Sequence, residues 1–418
     1  MRRPLPQIAA LLLVVLARPA AAAPGALDTS FSGNGIQPMF TGGATAQAVA
    51  MDAQDRIVVA GYTIGRRTDV AVARVRPNGG ADGSFGGDGR VRIDLGAKDQ
   101  GLDVAIYSDG KIVVVGTRST RLGTKWFVIR LLPGGARDRS FGGDGVVVTD
   151  FGRRFEHANA VAIASGDRIL VGGSASDGLN EKWAFARYLN GGSLDSSFGG
   201  DGRVTLSLSL SGEEVQDLGI DSGEILAAGY AESGFLPRFA IAKLRSDGSR
   251  VASFGNNGVR VVNVGIGADA AFGLAVQADG KPVLAGYASS DGRADWGLVR
   301  LAAGGGLDGS FGGDGIVTTA FTPAYELAAS VAVQPDGRIV VVGRARGPSG
   351  TDDLAVVRYG TGGGLDGSFS GNGKALFNPY REDDAARDVL VHEGKILVVG
   401  DSIQNLVPRM VVLRLRMT

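Results

Sequence analysis

From residue 99 to 152 the apolar positions come in short runs, and none keeps a helical repeat. Leu102 to Ile106 is apolar, Asp109-Gly110 marks a turn, and Lys111 to Gly116 (KIVVVG) is β-branched. Thr117 to Thr124 is polar, Trp126 to Leu132 (WFVIRLL) is apolar again, and the loop RDRSFGGDG leads into Val146 to Phe151. Short apolar runs punctuated by Gly and Asp predict four antiparallel strands. The pattern returns along the chain, anchored on Phe31, Phe85, Phe141, Phe198, Phe254, Phe311 and Phe369, at spacings of 54 to 58 residues. A four-stranded sheet with two apolar faces cannot bury both alone, whereas seven stacked radially bury each face against a neighbour. The expected fold is all-β: a seven-bladed β-propeller of four-stranded antiparallel blades, spanning 27–418 as one domain.

The third strand explains the stacking. Alternate residues point to opposite faces. One face carries Val70, Trp126, Trp183, Phe239, Trp296, Leu354 and Met410; the other carries small residues such as Ala71, Ala73, Ala184, Ala186, Ala240 and Ala242. This reads as wedge packing between blades rather than as an aromatic ligand platform. Gly35 to Phe40 reads as a fourth strand with no first strand before it, and Met410 to Leu415 as a third strand with no fourth after it. The N-terminal strand is therefore expected to complete the last blade and close the ring, which removes an exposed edge. The alternative is an open seven-unit solenoid.

Composition narrows the class. Glycine is abundant, at 68 residues, and 44% of residues are apolar, which suits turn-rich packed strands. The 43 basic and 43 acidic residues balance, so nothing directs the chain to nucleic acid. Arg2 and Arg3, the apolar run Ile8 to Leu16 and the small residues Ala20 to Ala23 predict a secretory signal peptide over 1–23. That run is too short to span a bilayer, so no transmembrane segment is expected. The mature chain is expected in the periplasm, at the cell surface or outside, as a monomer. There is no cysteine, hence no disulfide, thiolate metal site or lipid-anchored Cys.

In the repeated phrase, Gly35, Gly89, Gly145, Gly202, Gly258, Gly315 and Gly373 suit a positive φ, and the Asp or Asn before each caps its own turn. Asp- and Gly-rich loops also bind calcium, but the oxygen spacing matches no known calcium loop. The phrases LDTSF at Leu27, LDSSF at Leu194, and LDGSF at Leu307 and Leu365, followed by a DGKIVVVG-type strand, resemble the delta-60 repeat family of bacterial proteins. The fifth copy departs, reading RVASFGNNG from Arg250. The resemblance covers nearly everything after the leader. It implies exported propeller-like proteins and carries over no catalytic motif.

Two charged columns recur. Arg74, Arg130, Arg187, Lys243, Arg300, Arg358 and Arg414 lie on the bulky face of the third strand. They are expected in ion pairs between blades, with the Asp three residues before each Phe as candidate partner, and anion binding is the alternative. Asp99, Glu156, Glu213, Asp269, Glu326 and Asp384 mark the entry to the first strand, with Ala44 at the first position. Two readings stay open: caps of loops or seams, and a carboxylate ring at a channel mouth that binds calcium, another divalent cation or a polyhydroxylated ligand. His157 stands beside Glu156 and joins that candidate site; His392 lies at the far end of another first strand. No G-x-S-x-G, H-E-x-x-H or Walker phrase occurs. GGGLDG at Gly304 and Gly362 opens no helix, so no dinucleotide site is expected. The loops after the second strand vary most, and variable loops on a rigid scaffold are where binding usually lives. The leading expectation is an exported, non-catalytic binding scaffold for a protein or carbohydrate ligand, without a cofactor. The alternative is a hydrolase or lyase using the acidic mouth with a divalent cation, and a purely structural module is the third class.

Overall fold

The computed structural model describes residues 23–417 apart from 41, 177, 179, 210, 211, 291 and 323. The expected signal peptide therefore lies, except for its last residue, outside the described residues. Twenty-eight strands form seven four-stranded antiparallel sheets, and no helix occurs among the described residues. Blade one runs from Ala44 to Ile93, blade two from Lys98 to Thr149, and blade three from Phe155 to Leu206. Blades four to six span Glu213 to Val262, Asp269 to Thr319 and Leu327 to Phe377. Blade seven takes three strands from Asp384 to Arg416 and its outermost strand, Ile36–Phe40, from the start of the chain. Ile36 pairs with Leu413 and Phe40 with Met410. The first strands of neighbouring blades meet all the way round, the first and seventh included, so they are innermost and the ring is closed.

Each seam holds its own apolar core. Between blades two and three, Trp126 and Val128 pack on Ala184 and Ala186. At the closing seam, Met410 and Val412 pack on Ala71 and Ala73. The seven bulky third-strand residues are all fully buried. The three tryptophans also donate across the seam, Trp126 Nε1 to the Ser174 carbonyl, Trp183 to Tyr230 and Trp296 to Arg344, at 3.0 to 3.2 Å. A buried indole N–H needs such a partner.

Every innermost strand carries a bulge, as between Gly101 and Asp103 or Ala158 and Ala160. Opposite each stands the last glycine of the KIVVVG-type run. A Cβ on Gly116 would lie 1.9 Å from the Gln100 carbonyl oxygen, and one on Gly173 would lie 1.8 Å from that of His157. The bulge brings one backbone against another, and only glycine leaves room.

The repeated phrase builds one end of the ring. All seven of its final glycines have φ between 85° and 91°, and Asn34, Asp88, Asp144, Asp201, Asp314 and Asn372 accept the amide two residues on. The basic column corrects one expectation. Each guanidinium pairs with the phrase aspartate of its own blade, not of its neighbour: Arg74 with Asp82, Arg130 with Asp138, Arg187 with Asp195, Arg300 with Asp308, Arg358 with Asp366, at 2.7 to 2.8 Å. The reason is reach, since the phrase loop folds back directly beside the strand that precedes it. Arg414 pairs with Asp28 at 3.0 Å, tying the two ends of blade seven. The same guanidinium donates Nη2 to the phrase serine, lies 4.7 to 4.9 Å over the phrase Phe, and sends Nη1 to a carbonyl of the next blade, such as Pro133 or Thr361. The seam is thus crossed by a hydrogen bond to a carbonyl, not by the ion pair. Burial alone would raise the Asp195 and Asp308 carboxyls, but the serine hydroxyls and amides and the arginines outweigh it and hold both down at about 2. Their contribution to stability is complete above the ordinary carboxyl range and is lost as pH falls through 2.

Blade four lacks this unit. Val251 replaces the aspartate and Lys243 the arginine, and Lys243 turns to Glu224 at 2.6 Å. Restoring both partners, with Lys243→Arg and Val251→Asp, is expected to stabilise the protein by more than the sum of the single changes. The coupling should be about 1–3 kcal/mol, read from denaturant midpoints of the four proteins. Additive single effects would show that the unit does not act as a pair.

Candidate functional site

The six carboxylates of the acidic column all stand at the start of an innermost strand and are buried. Their oxygens turn back into the loop that enters the blade. Asp99 accepts the Leu95 amide at 2.8 Å, and Glu156 accepts those of Phe151 and Arg153. Glu213 takes Leu208 and Ser209, Asp269 takes Val264 and Gly265, and Glu326 takes Phe321 and Thr322. These five side chains are loop caps, and the geometry gives them no open ring at a channel mouth. Asp384 is equally buried, but neither of its oxygens has a well-formed hydrogen bond. Burial raises Glu213 and Asp384 to about 7 despite neighbouring donors.

Basic partners complete some of these caps. Lys125 Nζ reaches Glu156 at 3.0 Å, and Arg238 Nη1 reaches Asp269 at 3.0 Å. His157 is half-buried, with Nδ1 at 3.5 Å from Thr117 Oγ1. His392 bonds Asp55 at 2.8 Å at the opposite end of its strand, in a small group with Glu393. The structure does not bring the two histidines together.

Three inward carboxylates were not singled out from the sequence: Asp103, Asp217 and Asp388, on the innermost strands of blades two, four and seven. Each accepts an amide from the next blade, Val161 at 2.6 Å, Leu274 at 2.7 Å and Val49 at 2.8 Å. An innermost strand has an edge with no strand partner, and these aspartates satisfy it. The available signal was an Asp inside an otherwise apolar first strand, with Ala160, Gly273 or Ala48 at the matching place in the next blade. Burial is the main cause that raises all three, and Asp388 adds to the rise at Asp103 and Asp217 through charge repulsion. Asp217 reaches about 7.

The end of the ring carrying the variable loops differs from the phrase end. Its hairpin tips expose large apolar side chains: Phe235 is 97% exposed, Leu406 91% and Leu122 86%. Phe235 and Leu406 hold φ of 66° and 62°, a conformation that bulky residues rarely adopt. Between the first two blades the loops border an open cavity of about 570 Å³ whose lining includes Arg66, Arg67, Lys98, Arg118 and Arg121. Among the described residues, Arg66, Arg67, Lys98 and Arg121 have no ion pair or hydrogen-bond partner through their side chains. Arg118 Nε is buried without a hydrogen bond, 3.9 Å from Asp99. In a chain of balanced charge this is a local excess of cations.

The fold and its repeats define a repeat-built β-propeller. A family model described as a domain of unknown function (DUF5122) beta-propeller matches residues 108–141, 167–198, 277–311 and 334–369. Each match runs from a second strand into a repeated phrase. No curated protein matches the chain. Among solved structures, the polysaccharide lyase Uly1 is 10% identical over 89% of this chain and 90% of its own, with a TM-score of 0.53. A catalytically inactive virginiamycin B lyase from Staphylococcus aureus is 10% identical over 90% and 98%, at 0.49. Drosophila semaphorin 1b, extracellular domains 1–2, is 7% identical over 94% and 88%, at 0.44. At 10% identity the likeness to Uly1 is one of fold.

The raised inward carboxyls give a signed pH dependence. A carboxyl raised to about 7 binds its proton more tightly folded than unfolded. Its contribution is therefore complete below the ordinary carboxyl range and is lost as pH rises through 7. Asp217→Asn is expected to make the loss of stability between pH 5 and pH 8 shallower by on the order of 1–2 kcal/mol, measured by urea unfolding at both pH values. An unchanged slope would remove Asp217 as its source.

Proposed function

We propose that this protein is an exported, non-catalytic binding scaffold, acting as a monomer, whose ligand carries anionic groups and docks on the variable-loop end of the ring. The observation that carries this reading is the cavity between blades one and two, where five cationic side chains converge and four have no acidic partner. Arginine suits carboxylate, sulfate or phosphate groups because its planar fork matches their oxygens. The exposed apolar tips at the same end offer contact area for the uncharged part of a ligand. An acidic carbohydrate fits both features. Five of the six carboxylates that a hydrolase or lyase reading would use, all but Asp384, are capped by loop amides, which favours binding over catalysis. The leader-like residues 1–23 and the delta-60-type phrases support export.

Retention on a sulfated polysaccharide column tests the reading. With no net charge, the protein is expected to bind only through a local patch, and the triple variant Arg66→Ser, Arg67→Ser, Arg121→Ser should elute at markedly lower salt. Lack of retention, or equal elution of the two proteins, would reject the cavity as the site.

A further inference from the structure

The seven copies can be compared at one place: the junction of a third strand with the entry loop of the next blade. At the seam between blades two and three, Lys125 stands near the start of the third strand, Gly123–Leu131. Its ammonium lies in a cage of oxygens, 2.7 Å from Asp150 Oδ1, 2.6 Å from the Arg153 carbonyl and 3.0 Å from Glu156 Oε1. The strand registers place Asp69, Asp94 and Asp99 of the seam between blades one and two at the positions of Lys125, Asp150 and Glu156. The cage itself is rebuilt. Gly96 donates to Asp94 Oδ1 at 2.6 Å as Gly152 does to Asp150, and Leu95 donates to Asp99 as Phe151 does to Glu156. The cation has been replaced by a third carboxylate.

All three carboxylates offer an oxygen within 4.8 Å of the others. Asp69 is only 2% exposed and Asp99 is fully buried, yet Oδ1 of each has no hydrogen bond, and neither does the buried Thr68 Oγ1. Arg92 bonds the other oxygen of Asp69 from a largely exposed position. Arg118 Nε stays 3.9 Å from Asp99. Arg92 meets only one oxygen of Asp69, and Arg118 Nε faces the orphaned Asp99 Oδ1 too far away for a hydrogen bond, so Oδ1 of both aspartates remains without a donor. Buried orphan carboxylate oxygens are costly unless a charge meets them.

We propose that a calcium ion occupies this seam, held by Asp69, Asp94 and Asp99 in the place that the Lys125 ammonium takes one blade later. An all-oxygen set of carboxylates selects a hard cation over zinc, which prefers nitrogen and sulfur ligands. Calcium–oxygen distances of about 2.4 Å accommodate oxygens up to about 4.8 Å apart, and calcium tolerates the irregular geometry that magnesium does not. The ion would neutralise the seam without changing its fold. Asp69 and Asp99 are buried and Asp94 is exposed, and none of the three lines the cavity, so calcium binding and binding of the anionic ligand can each fail without the other.

The test is calcium titration of chelator-treated protein by calorimetry, with thermal unfolding in parallel. The expected result is one calcium per chain, an apparent Tm raised by about 2–5 °C at saturation, and magnesium at least about tenfold weaker. Asp69→Lys, which copies blade two, should abolish both signals while melting without calcium at or above the wild-type temperature. If that variant does not fold, Asp69→Asn should weaken calcium at least about tenfold. Absence of calcium binding to the wild-type protein, retention of wild-type affinity in Asp69→Lys or Asp69→Asn, or a magnesium affinity equal to that for calcium would overturn the proposal.

Discussion

The buried guanidinium of the third strand is the contact on which the ring depends. Five times it is buried and once, at Arg414, partly covered, and six times the same partners meet it: an aspartate, a serine hydroxyl, the face of a Phe and a carbonyl of the following blade. A charge taken out of water must have its hydrogen bonds met, or it costs several kcal/mol. The repeated phrase is the local sequence that supplies them. Blade four supports this by losing the arginine and the aspartate together while keeping the Phe and the turn. In blade seven the same contact joins Arg414 to Asp28, so ring closure uses the unit that every other blade uses internally. One end of the molecule is thereby fixed, and the other end is left free to vary.

Much of this was legible in the sequence because seven copies sample one unit. Strand order, turn glycines, wedge packing and the borrowed outer strand all follow from local pattern and from which strands lack a partner. What was not legible concerns direction. Repetition shows that Arg130 needs Asp138, but both lie in every blade, so repetition cannot say whether the pair crosses a seam. Likewise a carboxylate at a strand entry reads the same whether it faces the axis or turns back to cap its loop, as Glu156 does. The glycine closing each KIVVVG-type run reads as a strand end, and only the bulge opposite it reveals why a side chain is excluded.

Asp103, Asp217 and Asp388 escaped notice for a related reason. They do not recur in every blade, because an amide on one innermost strand needs only one acceptor from its neighbour. Where blades three and five offer a small residue, an aspartate on the preceding blade reaches across. The requirement belongs to the seam and not to the unit, so a column read blade by blade does not display it. The same limit hid Asp69, which looks like an ordinary loop aspartate until set beside Lys125.

Seams are thus the level at which this protein departs from symmetry. The cores within them are alike, and the phrase end is nearly invariant. At the strand-entry end, a lysine, an arginine or an aspartate follows the same loop, and the partner acid is kept at every seam but the closing one, where Ala44 stands. Such exchanges alter local charge without disturbing the stacked sheets, since they occur where a backbone cage already orients the carboxylates. The first seam gathers both departures: an acidic group at its base, and five cations on the loops above it. Among the described residues the acidic group meets basic side chains at only two points, Arg92 with Asp69 and Arg118 with Asp99. Arg66, Arg67 and Arg121 on those loops keep no acidic partner, which is the feature the proposed anionic ligand would use.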